Sequence, residues 1–127
     1  MAQLGTPDMK LPIQYALFYP DRRPMNGKRV DFYELGSITF EKPDMETFTG
    51  LKLALRAATE GGSMPTVFNA ANEKAVALFL NRMIRFLEIP ETIEMCMDAH
   101  KRIANPTVDE ILSTESETYE LISRRFS

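Results

Sequence analysis

Tryptophan is absent from these 127 residues, and cysteine and histidine occur once each, as Cys96 and His100. A single cysteine excludes an internal disulfide and a thiolate-rich zinc site, and a single histidine excludes any centre built on several imidazoles. One unpaired thiol fits a reducing compartment, so a cytoplasmic location is expected. No apolar run approaches the length of about 20 residues needed to span a bilayer, and the N-terminal segment lacks the apolar stretch of a signal peptide. A surplus of positive charge is missing too. Fifteen Lys and Arg stand against 18 Asp and Glu, for a net charge of −3, which argues against nucleic acid as a partner. Arg22, Arg23, Lys28 and Arg29 cluster, but Pro20, Pro24 and Gly27 break the segment, which reads as a solvated loop. Glycine-rich phosphate loops, His-Glu-x-x-His and Gly-x-Ser-x-Gly are all absent.

What remains is the balance of a soluble globular protein, with 44% apolar and 26% charged residues. Gln3, Leu4 and Gly5 have the character of a strand end, and Gly5 to Asp8 is turn chemistry. Lys10 to Tyr19 carries a helical stripe at Ile13, Ala16 and Leu17, with Pro12 tolerable in its first turn and Pro20 ending it. Residues 21–36 read as a connector, and Ser37 to Glu41 alternates polar and apolar as a half-buried strand does. Such a strand needs a partner from elsewhere to satisfy its backbone.

From Asp44 the pattern is helical. Phe48, Leu51, Leu55 and Ala58 form a stripe that Gly61 and Gly62 stop. Pro65 to Met83 is apolar around most of its circumference (Val67, Phe68, Ala71, Ala75, Val76, Leu78, Phe79, Leu80), as expected of a helix in the middle of a bundle. Pro90 suits the first turn of a further helix with Ile93, Met97 and His100 on one side. Thr107–Glu110 and Thr114–Glu117 each match a capping box, the mark of a helix start. Val108, Ile111, Leu112, Tyr119, Ile122 and Phe126 supply a last apolar seam. The expected fold is mainly α: residues 44–127 form an antiparallel helical bundle, preceded by a strand, helix and linker segment.

Candidates for chemistry are few. Cys96 and His100 lie four apart on a helix face, but that face is apolar, and structural packing is the simpler reading. The string Asn69-Ala70-Ala71-Asn72-Glu73 is compatible with an active-site helix or with a buried polar network that fixes register. Glu110, Glu115, Glu117 and Glu120 fall mostly on outward faces, where they solubilise.

Residues 2–9 (AQLGTPDM), followed by Pro12-Ile13 and Tyr15-Ala16-Leu17, resemble 1-deoxy-D-xylulose 5-phosphate reductoisomerase. The likeness continues through Asp31-Phe32, Leu35-Gly36, residues 51–54 (LKLA), 69–73 (NAANE), 84–86 (IRF) and 108–112 (VDEIL), nearly the whole chain. The resemblance implies an enzyme that converts 1-deoxy-D-xylulose 5-phosphate to 2-C-methyl-D-erythritol 4-phosphate for isoprenoid precursors. It uses NADPH and a divalent cation (Mg, Mn or Co), and works as a homodimer. It further implies that residues 1–20 end an α/β catalytic domain, 21–43 form a linker with one strand, and 44–127 form the C-terminal bundle. The family's cofactor motif, metal ligands and phosphate-binding residues precede the matched region. No catalytic residue and no metal ligand is therefore assigned in this chain, and neither NADPH nor a cation is expected to bind it alone. Only Pro7 and Met9 carry over, as apolar wall beside nicotinamide and substrate. The expectation is a piece of the reductoisomerase, inactive by itself, whose partners are the upstream cofactor-binding and catalytic domains. The alternative is an independent helical interaction module or one half of a split enzyme.

Overall fold

A computed structural model of the chain describes residues 4–126. Among them there are six helices and no strand: α1 (Lys10–Phe18), α2 (Phe32–Leu35), α3 (Gly50–Glu60), α4 (Met64–Leu80), α5 (Glu88–Ala99) and α6 (Val108–Arg125). None of these helices is long and apolar enough to cross a membrane. The chain divides into two compact units, Met1–Lys42 and Pro43–Ser127.

In the first unit, α1 starts where the Asp8 carboxylate accepts the Lys10 N–H at 2.9 Å. Pro12 occupies the first turn, where its missing N–H breaks no helical bond. Tyr19 precedes Pro20 and is driven out of the helical region, to ψ 134, so the helix ends at Phe18. Not one residue of α1 is buried. The connector folds back along it: the Arg22 and Arg23 guanidiniums lie 4.9 and 5.0 Å over the Tyr15 and Phe18 rings, and Gln14 donates to the Pro24 carbonyl at 3.1 Å. The basic cluster is thus exposed, as a solvated loop would be, but anchored on aromatic faces. The short α2 falls where only a connector was read; Asp31 nucleates it by accepting the Tyr33 and Glu34 N–H groups at 2.8 and 3.3 Å.

Ser37 to Glu41 forms no strand. A strand is defined by its ladder, and no other strand exists among the described residues to complete one. Leu4 and Gly5 likewise lack regular structure, and Gln3 lies outside the described residues.

The second unit is the helical bundle. Helix α3 begins at Gly50, later than Asp44, because Asp44 closes a separate turn by accepting the Glu46 and Thr47 N–H groups at 3.1 and 3.0 Å. The N–H of Thr47 is the main reason its carboxyl sits below the usual range. Gly61 and Gly62, at φ +64 and +60, end α3 as read from sequence. Helix α4 packs against α3, α5 and α6 and is the central element. It buries Val67, Ala70, Ala71 and Ala75, small side chains that let neighbouring backbones approach. It stops at Leu80, short of Met83, because Arg82 turns left-handed at φ 61 and leaves Met83 exposed.

Pro90 does fall in the first turn of α5, which buries Thr92, Ile93, Cys96 and Met97. The Thr107 capping box starts α6: the Thr107 N–H donates to Glu110 at 2.7 Å, and the Glu110 N–H donates to the Thr107 hydroxyl at 3.3 Å. The second candidate box starts nothing. Thr114 is buried within α6, where its carbonyl accepts the Thr118 hydroxyl at 2.7 Å.

Two apolar stripes are also reassigned. On α6 the inward positions are Thr114, Thr118 and Ile122, while Val108, Ile111 and Leu112 are exposed. On α3 the inward positions are Leu53 and Ala57, while Leu51, Leu55 and Ala58 are exposed, as is Phe48 just ahead of the helix. Both helices carry apolar residues on two sides, and the bundle covers one. The core gathers Val67, Ala71, Ile93, Met97 and Ile122 with their neighbours.

Candidate functional site

Pro7 and Met9 lie together at the head of α1, on either side of the Asp8 cap. Both are exposed, Met9 at 72%. A cavity of about 420 Å³ in the same unit is lined by Leu4, Asp8, Leu11, Arg23, Lys28 and Phe32, among others, but not by Pro7 or Met9. Asp8 holds the turn that presents these two side chains.

Cys96 and His100 are not brought together as a nucleophilic pair. Cys96 is buried in the core, and loss of solvation pushes its thiol up to about 11, against a small opposing pull from the Arg125 charge. A thiol in that state is a core side chain, not a nucleophile. Native protein at pH 7.5 should therefore resist alkylation at Cys96 under conditions that label the denatured chain to completion. Labelling at comparable rates, read by intact mass, would contradict that burial. Ionisation of this thiol also favours the unfolded state. Stability should thus decline as pH rises from about 9 towards 11.

His100 sits past the end of α5 in extended backbone, with Nε2 at 2.7 Å from the hydroxyl of Ser63. Ser63, not among the residues singled out from the sequence, is fully buried between α3 and α4. Its N–H donates to the Ile103 carbonyl at 2.9 Å, and its hydroxyl accepts the Ile103 N–H at 2.9 Å. The hydroxyl thus bonds both the Ile103 N–H and the His100 imidazole, the direction of the second bond following the ring tautomer. This clasp joins the α3–α4 turn to the α5–α6 connector, and a serine sealed from solvent in this way has no access to a substrate. The one sequence signal for it was a serine directly after two adjacent glycines.

The Asn69–Glu73 string divides by burial. Ala70 and Ala71 are core, Asn69 and Glu73 are exposed, and Asn72 is half-buried. The buried network is therefore absent, because the helix turns its alanines inward and its polar groups outward. Asn69 donates to Glu73 at 3.3 Å, and the Tyr119 hydroxyl donates to Glu73 and Glu115 at 3.2 Å each, linking α4 to α6. Partial burial, reinforced by the two carboxylates, pushes the Tyr119 phenol up to about 12. Glu110, Glu117 and Glu120 are exposed, and no group of three or more His, Cys, Asp or Glu among the described residues converges on a metal position.

An apolar groove of about 570 Å³ lies in the bundle. Phe48, Leu51, Phe68, Val76, Phe86 and Ile93 are among the residues of its wall. Phe86 stands edge-to-face with Phe48 and Phe79, with ring centroids 6.5 and 5.9 Å apart. Asp44 and Asn72 are its polar members. Asp44 is committed to its turn, and Asn72 has no hydrogen-bond partner among the described residues. The groove fits apolar side chains together with one main-chain group for Asn72. That is recognition chemistry, without an acid, base or nucleophile poised for reaction.

Comparison with known proteins gives a consistent result. Residues 4–121 match the family described as the DXP reductoisomerase C-terminal domain. The chain is 61% identical over 126 residues to the 1-deoxy-D-xylulose 5-phosphate reductoisomerase of Lachnospira eligens, and 58% identical over 126 residues to that of Agathobacter rectalis. Each match covers 99% of this chain but 33% of the relative. Among solved structures, the reductoisomerase from Zymomonas mobilis in complex with NADPH is similar at TM-score 0.86 and 35% identity, over 100% of this chain and 34% of that one. A DOX-P reductoisomerase in complex with NADPH, fosmidomycin and magnesium gives TM-score 0.83 and 34% identity, over 98% and 33% respectively. The chain spans about a third of the length of the relatives it matches.

Proposed function

This chain belongs to the DXP reductoisomerase family, and from that premise we propose that it serves as the C-terminal bundle of an enzyme converting 1-deoxy-D-xylulose 5-phosphate to 2-C-methyl-D-erythritol 4-phosphate. The observation that carries this reading is the family match over residues 4–121, joined to 61% identity with a reductoisomerase three times as long. In this reading residues 1–20 complete the catalytic domain, 21–43 link it to the bundle, and 44–127 are the bundle itself. The parent works as a cytoplasmic homodimer.

The described residues do not fit the groups such an enzyme requires. Among the described residues no group of three or more His, Cys, Asp or Glu converges on a cation position, and no parallel sheet is there to receive a dinucleotide. In this reading NADPH and the divalent cation are held by the rest of the parent, and the 127 residues alone do not turn over the substrate. Pro7 and Met9 contribute apolar wall at the reacting centre. Their turn is held by Asp8, and their exposed side chains are free to be covered by the remainder of the catalytic domain, which would exclude water from hydride transfer.

The test is a chimera in which this chain replaces the matching third of the Lachnospira eligens reductoisomerase. NADPH oxidation with 1-deoxy-D-xylulose 5-phosphate and Mn²⁺ should proceed with the chimera and stay at background with the 127-residue chain. A folded chimera without turnover would overturn the assignment, and turnover by the chain alone would overturn its incompetence.

A further inference from the structure

We infer that the apolar groove of the bundle is the seat for an apolar segment of the parent enzyme's upstream two-thirds, with Asn72 bonding that segment's main chain; this rests on the function proposed above.

The sequence of α3 spends its apolar residues on two faces. Leu53 and Ala57 are the buried positions of the helix, yet Leu51 and Leu55 lie on its other side at 45% and 55% exposure, and Phe48, just ahead of the helix, stays 54% exposed although its ring meets Phe86 edge-to-face. Phe86 and Leu87, from the connector after α4, extend the same surface and are about half exposed, at 55% and 50%. Isolated exposed apolar residues are ordinary; two phenylalanines and several aliphatic residues gathered around one concavity are not.

What covers the groove is indicated by length. The family match makes this chain a C-terminal domain, and the relatives are about three times longer, so most of the polypeptide lies outside the structure described. The fold is similar to a part of a whole reductoisomerase, at TM-score 0.86 over 100% of this chain and 34% of that one. A surface of this composition inside a larger polypeptide is suited to an intramolecular contact. Asn72 adds direction. Its carboxamide offers two donors and an acceptor, is half-buried at the groove wall, and has no partner among the described residues. An incoming segment can thus bury apolar side chains against Phe48, Leu51 and Phe86 while one of its peptide groups is satisfied by Asn72. It would also explain why the Asn-Ala-Ala-Asn-Glu string, which supplies no catalytic group, is polar on the face where Asn72 lies.

Alkylation of single introduced thiols reads this directly, since Cys96 is buried and silent. Leu51→Cys and Leu112→Cys should both react readily in the 127-residue chain, where each parent side chain is exposed. In the full-length chimera the thiol at position 51 should react at least about tenfold more slowly, while the one at 112 keeps its rate. Peptide mass spectrometry assigns the labels, and Phe86→Cys repeats the measurement from the other wall should Leu51→Cys fold poorly. Equal rates at position 51 in the two contexts overturn the inference. So does protection at 112 alone, which would put the contact on α6, or concentration-dependent protection at 51 in the isolated chain, which would make the occupant a second copy. NADPH oxidation by the same chimera separates the two levels: an active chimera with an unprotected groove sinks this inference only, and an inactive one sinks the function it rests on.

Discussion

Gly62→Ala should cost this protein about 3 kcal/mol of unfolding free energy, while Gly61→Ala one residue earlier costs about 1 kcal/mol. Both glycines have left-handed backbone, at φ +60 and +64, so both substitutions carry the strain of placing an L side chain there. They differ in what the new methyl meets. At Gly61 nothing lies within 4 Å, whereas at Gly62 the Cβ would sit 2.1 Å from the Ile103 carbonyl oxygen and 3.1 Å from that of Ala104. The Ile103 carbonyl cannot retreat alone, because it accepts the Ser63 N–H and its residue's own N–H donates to the Ser63 hydroxyl, both at 2.9 Å. Relieving the clash therefore breaks the clasp, adding roughly two hydrogen bonds at about 1 kcal/mol each to the backbone strain. Equilibrium urea unfolding of the two variants gives the comparison. Equal losses would mean that the α3–α4 turn and the α5–α6 connector move apart freely.

The second large effect lies on α6. Ile122→Ala should destabilise by about 3 kcal/mol, within the range for deleting a fully buried aliphatic side chain, and Leu112→Ala should change stability by less than about 0.5 kcal/mol. Ile122 has no exposed surface and packs in the core beside Met97 and Val67, whereas Leu112 is 56% exposed. For a domain whose total stability is about 5–15 kcal/mol, the first change removes a substantial fraction and the second almost none. A loss at Leu112 matching that at Ile122 would show that the first turns of α6 are covered in solution.

These two contrasts also mark where sequence reading stops. The helices α3 to α6, the Gly61–Gly62 stop, the Thr107 cap and the central place of α4 were all legible, because propensity, capping and punctuation are local and leave their signature in neighbouring residues. The burial of Cys96 was legible as well, from an apolar helix face around a single thiol. The family was carried by the strings around Pro7, Met9 and Asn69–Glu73, whose spacing the chain keeps.

Other features depended on what the backbone places nearby. Thr114 reads as a helix start and is an interior residue, since a helix already propagating from Thr107 has no use for a second cap. Ser37 to Glu41 alternates like a strand and has none to pair with among the described residues. Ser63 and His100 are 37 positions apart and meet only when the bundle closes.

By itself, then, the sequence determined that residues 44–127 form a helical bundle, that Gly61 and Gly62 stop its first helix and Thr107 starts its last, and to which enzyme family the chain belongs. Tertiary structure alone decided which apolar stripes become core and which become surface: Leu53 and Ala57 over Leu51 and Leu55, Ile122 over Leu112. The reason is that amphipathic periodicity records which residues avoid water, while burial depends on where a neighbouring helix stands. A helix apolar on two sides leaves that choice to its neighbours.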